Sequence, residues 1–386
     1  MKKKILFIIS NLESGGVSKS MTSLLNVVDT NRYDVDVLIV NPTGIFLELL
    51  PENIRILSDF KTQLFFSKFP HNLILLVKNG FLYAVMLRLV AGLCMLFNKG
   101  FGAKLLSKGI AKINNKYDLA VDYNGQQQLY YLVDQVQAAV KVSFFHSDYS
   151  KWDFYYSMDK QYYPKVDKIY TVSETCVTSL KKYFPAQESK IELFENISST
   201  QLINQLALQD IEQMPDNSIV TIGHLTEQKG TLLALKAAKI LKNHGIQFKW
   251  YFVGQDSNDH NYRQIVKENG LEEYINFVGA IPNPYPYIKK ATIIVHLSLF
   301  EGKSIALDEA KLLCKPIVVS NFSTVGDQFD TNFNATITSF EPDQIAQNIV
   351  CLLQDKTLQN KYAHNLKNNL RSNENEIEKL YQLMQN

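Results

Sequence analysis

TIIVHLSLFEGKSIALDE, residues Thr292–Glu309, joins the two periodicities from which an α/β protein is built. Thr292–Leu297 is an apolar, β-branched run of a length that suits a buried strand. Glu301-Gly302-Lys303-Ser304 turns the chain, and the residues that follow enter a helix carrying Glu309 in its second turn. With Ser304 as the cap, the free backbone N–H groups and the positive dipole end of that helix form an anion site, with Glu301 just outside it. At about 1.5 Å per residue, Glu309 falls roughly 7–8 Å down the axis. A polyol, a diphosphate and a ribose diol in series, the layout of a nucleotide diphosphate sugar, match that order, because carboxylates accept from hydroxyls and N–H groups donate to phosphate. Two glutamates eight residues apart are also an ordinary pair of solvated charges, so the rest of the chain has to decide between the readings.

Outward from this stretch, strand and helix patterns alternate. Ile5–Ile9 reads as a buried strand, Asn11–Gly16 as a glycine-bearing turn, Val17–Val28 as a helix and Tyr33–Val40 as the next strand. This is the opening of a doubly wound parallel sheet, whose ligands sit at the carboxyl ends of the strands. Gly15 and Gly16 would let a phosphate approach closely, but the turn lacks the full GxGxxG fingerprint and equally suits a simple tight turn. Further strands fall at Asp118–Tyr123, Val140–Phe145, Lys168–Val172 and Lys190–Phe194. His146 follows Phe144-Phe145 at a carboxyl-end turn, as a structural hydrogen-bonder or as a site residue. Residues 197–217 lose the alternation and end in Met214-Pro215-Asp216-Asn217, which reads as a linker. A second series follows, with strands at Ile219–Ile222, Phe248–Val253, Ile275–Val278, Thr292–Leu297 and Pro316–Ser320, then a helical tail. The domains expected are 1–196, a linker 197–217, 218–370, and a helix over 371–386 that can return to the first domain.

The 386 residues are 46% hydrophobic and 20% charged, with a net charge of +2, so nothing favours a nucleic-acid partner. Cys94, Cys176, Cys314 and Cys351 form no CxxC pair, which fits a reducing, cytoplasmic setting. MKKKILFIIS resembles the start of a signal peptide, but the apolar run is short and Gly15-Gly16 suits a strand-to-helix turn better. Between Leu64 and Leu106 the chain is rich in Leu, Phe, Val and Met, broken by Lys68, Lys78, Arg88, Lys99 and Lys104. No uncharged run there reaches the ~20 residues of a spanning helix. Two readings stand: helices packed on the sheet, or a basic amphipathic face over 64–108 resting on anionic lipid at the inner face of the plasma membrane. Asp34-Val35-Asp36 spells DxD but lies in a strand with apolar neighbours, and the seven histidines have no ligand spacing, so no metal is expected.

Three motifs after strands carry a resemblance to a known family. They are Gly223-His224-Leu225-Thr226-Glu227-Gln228-Lys229-Gly230, Ile275-Asn276-Phe277-Val278-Gly279, and the E-x7-E spacing of Glu301 and Glu309. Together they resemble the retaining glycosyltransferases of family 4, of the capsule and exopolysaccharide type, strongly over 219–330. The resemblance implies the GT-B fold, α/β with two Rossmann-like doubly wound parallel-sheet domains facing a central cleft and C-terminal helices. It also implies a nucleotide diphosphate sugar as donor, a UDP-sugar above others, with no further cofactor, and a glycan or lipid-linked acceptor. By the same resemblance Lys229 neutralises the diphosphate, Glu301 faces the donor sugar and Glu309 holds the ribose hydroxyls. Backbone N–H groups around Lys303, Ser304 and Ile305 bind phosphate or sugar, the Gly15-Gly16 loop nears the diphosphate, and His146 contacts the sugar and the reacting centre. One departure is His224, where the family usually has arginine; an imidazole near pKa 6.5 is only partly charged at neutral pH. It motivates the alternative of a weak, glycosyltransferase-like partner subunit.

Two other enzyme classes fit parts of the pattern. A nicotinamide-dependent oxidoreductase would use Asp34 or Asp36 for a ribose, but the glycine fingerprint is incomplete. Hydrolysis by the Glu301 and Glu309 carboxylates leaves Lys229 and the second sheet without a purpose.

Overall fold

The computed structural model describes residues 2–13, 15–369 and 372–385. In chain order its helices and strands are β1 (Lys3–Ile9), α1 (Gly16–Val27), β2 (Tyr33–Ile39), β3 (Arg55–Leu57), α2 (Phe60–Phe66), α3 (His71–Lys78), α4 (Leu82–Phe97), α5 (Lys99–Ser107), β4 (Lys116–Asp122), α6 (Gln127–Gln135), β5 (Gln137–Phe145), α7 (Tyr156–Tyr162), β6 (Lys168–Thr171), α8 (Glu174–Tyr183) and β7 (Ile191–Leu193). The second series is α9 (Thr200–Leu206), β8 (Ser218–Ile222), α10 (Thr231–Asn243), β9 (Lys249–Val253), α11 (Tyr262–Glu268), β10 (Ile275–Gly279), α12 (Tyr285–Lys290), β11 (Ile293–His296), α13 (Ile305–Leu312), β12 (Ile317–Ser320), β13 (Thr336–Thr338), α14 (Pro342–Gln354), α15 (Lys356–Asn369) and α16 (Glu378–Leu383). Contacts divide the chain into two units, one of Met1–Glu13, Val17–Ile197 and Glu374–Asn386, the other of Ser14–Gly16 and Ser198–Asn373.

The first unit holds a seven-stranded sheet in the order β3-β2-β1-β4-β5-β6-β7, and the second a six-stranded sheet in the order β10-β9-β8-β11-β12-β13. Every pair is parallel, from Lys3 beside Tyr33 in β1–β2 to Val318 beside Thr336 in β12–β13. Parallel strands need crossovers and covered faces, so their central runs are mostly apolar: Ile5 to Ile9 and Ile293 to Val295 are all buried. In each sheet the order reverses once, between β1 and β4 and between β8 and β11. Loops leaving the carboxyl ends of those strands diverge there and leave a crevice for a ligand. Both units therefore have the Rossmann-like form expected for each half of a GT-B protein.

The edges and connections differ from the sequence reading. β3 and β13, three residues each, lie at sheet edges and were not anticipated. The stretch 197–217, expected to be a linker, carries α9, capped by the Ser199 side chain accepting from the Leu202 N–H, and Ile203 and Ala207 join the core of the second unit. Asp36 of the DxD sequence is buried and held bidentately by Arg55 (2.8 and 2.6 Å), with the Tyr117 hydroxyl donating to it at 2.7 Å, a structural use for its charge. Residues 374–385 lie with the first unit: Tyr381 stacks on Tyr33 at 4.4 Å, and its hydroxyl accepts from the Asp29 N–H at 2.9 Å.

Candidate donor site of the second unit

The reversal between β8 and β11 brings two loops together. The first, Gly223–Gly230, leaves β8; Leu225 N–H donates to the Gln255 carbonyl at 2.8 Å, and Gly223 N–H to that of Val253 at 3.0 Å. It ends at Gly230, whose φ of 73° is left-handed, and a Cβ there would meet the Leu297 carbonyl oxygen at 2.1 Å. Only glycine serves at that point, because both the backbone conformation and the contact exclude a side chain. The second loop, Leu297–Ser304, leaves β11 and is tied to the first by the Leu299 N–H donating to the Gln228 carbonyl at 2.8 Å. Lys229 and Glu301, 72 residues apart, meet as a result: Nζ lies 2.6 Å from Oε1.

The same carboxylate oxygen draws two further donors. Ser298 Oγ donates at 2.7 Å, and His296 Nε2 stands 3.0 Å away. His296 is the last residue of β11 and is 3% exposed, and its Nε2 also lies 3.0 Å from Ser298 Oγ and 3.4 Å from Ser304 Oγ. Burial alone would raise the Glu301 carboxyl, but the Lys229 ammonium and the His296 hydrogen bond outweigh it and hold the group well below the usual carboxylate range. Glu301 is therefore a fixed anion of set orientation. His296 and Ser298 escaped the sequence reading because they sit in an apolar strand end; the one available signal was a polar residue at the carboxyl end of a central strand.

Ser304 is the residue before α13, but its side chain makes no capping bond and turns to His296 instead. Its own N–H, expected to serve a ligand, already donates to Gln328 Oε1 at 2.9 Å. Gln328 also donates to the Ser304 carbonyl (2.9 Å) and to Asp308 (3.0 Å), which fixes the entry into the helix. Ile305 opens α13 and is buried, while Lys303 is half-buried. Glu309, on the same helix, is 1% exposed, and its Oε1 accepts from the Tyr285 hydroxyl at 2.9 Å. The structure therefore gathers Lys229, Glu301 and Ser304 around His296, and places Glu309 in a separate, tyrosine-bound position on α13. His224 is half-buried in the loop after β8. Asp259 is exposed yet accepts from the Glu227 N–H at 2.8 Å and so pins the loop that carries Lys229.

In the first unit, His146 follows β5 and packs on Tyr123 (4.6 Å) and Phe144 (5.8 Å). Burial lowers its pKa to about 4, so the ring is neutral at physiological pH. Gly15 lies between β1 and α1 with a φ of 142°, and Gly16 opens α1. At the reversal between β1 and β4, Asp122 accepts from the Ser143 hydroxyl (2.7 Å) and the N–H groups of Asn124 (3.0 Å) and Gly125 (2.9 Å). Desolvation raises Asp122 to about 7. The turn it shapes forces Gln126 to φ 46°, ψ −112°, a conformation costly for a residue with a Cβ.

These geometries have counterparts among known proteins. Residues 208–372 match the family model of glycosyl transferases group 1. The match lies within the unit that holds Lys229, His296, Glu301 and Glu309. The N-acetylgalactosamine-N,N'-diacetylbacillosaminyl-diphospho-undecaprenol 4-alpha-N-acetylgalactosaminyltransferase of Campylobacter jejuni is 27% identical over 207 residues, 53% of this chain and 56% of that protein. The amylovoran biosynthesis glycosyltransferase AmsK of Erwinia amylovora is 28% identical over 156 residues, 38% of this chain and 37% of that one. The chain thus spans between a third and a little over half of these relatives' lengths. Among solved structures, Anabaena Alr3699/HepE in complex with UDP-glucose aligns over 99% of this chain and 98% of its own with a TM-score of 0.71 at 16% identity. WaaG, a glycosyltransferase of lipopolysaccharide biosynthesis, aligns over 98% and 99% with a TM-score of 0.66 at 14% identity. The fold is that of the GT-B glycosyltransferases.

Proposed function

We propose that this chain transfers a sugar of the hexose type from a nucleotide diphosphate sugar, a UDP-sugar first among them, to an acceptor hydroxyl on a lipid-linked or cell-surface glycan, retaining the anomeric configuration and using no metal. The observation that carries the reading is the cluster of Lys229, His296, Ser298 and Glu301 at the reversal point of the sheet in the glycosyl transferases group 1 region. Transfer needs a cation where charge develops on the departing diphosphate and an oriented acceptor for sugar hydroxyls. Lys229 supplies the first and Glu301 the second. Without donor each neutralises the other; an arriving diphosphate competes for the ammonium and leaves Glu301 to the His296 and Ser298 donors and the sugar. Glu309 takes the ribose end, α13 and Lys303 the phosphate, and His146 and the Gly15-Gly16 loop the sugar and diphosphate. The leaving diphosphate itself serves as the acceptor's base on the same face, so positioning and electrostatics are the protein's share.

His224 in place of arginine favours a second reading, a catalytically weak partner that stabilises another transferase. Turnover separates the two. A panel of nucleotide sugars with membrane extract as acceptor source is expected to show release of nucleoside diphosphate that falls at least about a hundredfold in Glu301→Ala and Lys229→Ala. Equal release by wild type and both variants sinks the assignment, and no release by folded wild type favours the partner.

A further inference from the structure

The segment between β3 and β4 has an outward surface that the protein itself leaves uncovered. α4 is apolar on two sides: Ala84, Leu87 and Ala91 face a small core with Phe65, Leu76 and Leu106, while a second stripe faces away. That outer stripe is Leu82, Met86, Leu89, Leu93, Leu96 and Phe97, each at least half exposed, with Leu96 79% and Phe97 87% accessible. Spacings of three and four residues keep it on one side of the helix. On the preceding helix α3, Ile74 and Val77 are both 52% exposed as well. Such a contiguous apolar face is costly in water and marks a docking surface.

Charge names the occupant. From Phe60 to Tyr117 the chain has no aspartate or glutamate and has nine lysines and arginines, although the whole protein is close to neutral at +2. Lys68 and Lys78 precede α4 and Lys99 follows it, all exposed, so cations stand at both ends of the apolar stripe. A protein partner that buried this stripe would also have to meet a one-signed rim; an anionic bilayer offers hydrocarbon and negative headgroups together. α4 is about 24 Å long at 1.5 Å per residue, short of the ~30 Å hydrocarbon core. No helix among the described residues is long and apolar enough to cross a membrane, so the fit is to lie in the interface. Lys99 also sits 4.0 Å over the Phe154 ring, and Trp152 beside it is 37% exposed, an aromatic pair of the kind that seats at headgroup level. These aromatics belong to the segment that follows β5 and His146.

We propose that the outer stripe of α4, with Ile74 and Val77 of α3, is a membrane-docking face that lies in the interface of an anionic bilayer, with Lys68, Lys78 and Lys99 on the headgroups. Docking itself stands apart from the chemistry; delivery of a lipid-linked acceptor toward His146 rests on the sugar-transfer reading. The test is flotation of the full chain with phosphatidylcholine vesicles, with or without phosphatidylglycerol, at low and high salt. The chain is expected to float with the anionic vesicles at low salt, to lose most binding at high salt, and to stay down with the neutral ones. Leu93→Asp/Leu96→Asp changes exposed positions and should keep the wild-type thermal transition while vesicle binding falls at least about tenfold. Lys78→Glu/Lys99→Glu should weaken binding to anionic vesicles. Failure of wild type to float, equal binding to neutral vesicles, or wild-type flotation by either variant overturns the proposal. So does a dimer in light scattering that Leu93→Asp/Leu96→Asp dissolves without any vesicle binding, since a second copy would then cover the face. Nucleotide release from a water-soluble acceptor reports separately on the transfer reading.

Discussion

Glu301 shows how a single residue can be anionic and almost dry. With its side chain 9% exposed it would ordinarily take up a proton, yet Lys229, His296 and Ser298 converge on one oxygen and reverse that tendency. A carboxyl whose folded pKa is depressed adds stability that is present above its unfolded pKa and lost as pH falls through the folded one. Glu301→Gln should therefore cost stability at pH 7, and its difference from wild type should shrink progressively below the ordinary value of 4.5. Urea titrations of both proteins across the acid range check this, and a difference that grows toward low pH contradicts it. His296 acts one step further out, as a positioning residue. On the proposed function, His296→Ala removes a donor to a charged group, so kcat should fall by about tenfold or more, the equivalent of roughly 1.5–3 kcal/mol. His296→Gln, which keeps an N–H, should restore part of that loss. A stability loss with kcat and the donor KM both unchanged would assign His296 a purely structural role.

At the scale of elements, the site is a product of loops locked at strand ends, and Gly230 is where the lock closes. An alanine there meets both the left-handed backbone and the Leu297 carbonyl. Gly230→Ala should destabilise the second unit by about 2–4 kcal/mol and, on the proposed function, weaken nucleoside diphosphate binding, because the strand-end loop that positions Glu301 must shift. Calorimetry with and without UDP measures both, and an unchanged transition would show that the loop yields more easily than its contacts imply. The motif that includes Gly230 was legible in the sequence because glycine and lysine after an apolar run carry strong local signals. The central strands were legible from composition, β1 carrying the continuous apolar run Ile5–Ile9 and β8 and β11 being rich in Ile and Val. β3 and β13 were not, since three-residue edge strands are stabilised by a neighbour's backbone rather than by a pattern of their own. Neither was Tyr285 as the partner of Glu309, a pairing made by tertiary packing across 24 residues. α9 carries a weak pattern of its own, because Ile203 is the fully buried side chain within it and Leu206 packs only in part.

The whole chain crosses between its two units and returns, and the return has a cost that can be measured. Residues 374–385 add Ile377, Leu380, Tyr381 and Met384 to the core beneath β1 and β2 of the first unit. Glu376 accepts from the Glu195 N–H at 2.9 Å, and Lys379 donates to the Leu193 carbonyl at 2.9 Å, closing the edge where β7 ends. The second unit's core is built from other residues, Ile219 through Tyr362. Burial of large apolar side chains contributes about 1.5–3 kcal/mol each, and a chain of this size has only about 5–15 kcal/mol of net stability to lose. Deleting 374–386 should therefore lower or abolish the transition of the first unit and leave that of the second in place. On the proposed function UDP is held mainly by the second unit, and a ligand that binds only the folded form raises its transition in proportion to affinity. The truncated chain should consequently keep a UDP-dependent shift in one calorimetric peak after losing the other. If both transitions fall together, the two units unfold as one cooperative body and the tail stabilises the whole. If the shift vanishes while the second peak persists, the second unit does not hold the nucleotide by itself, and the proposed placement on Lys229, Glu301 and Glu309 is overturned.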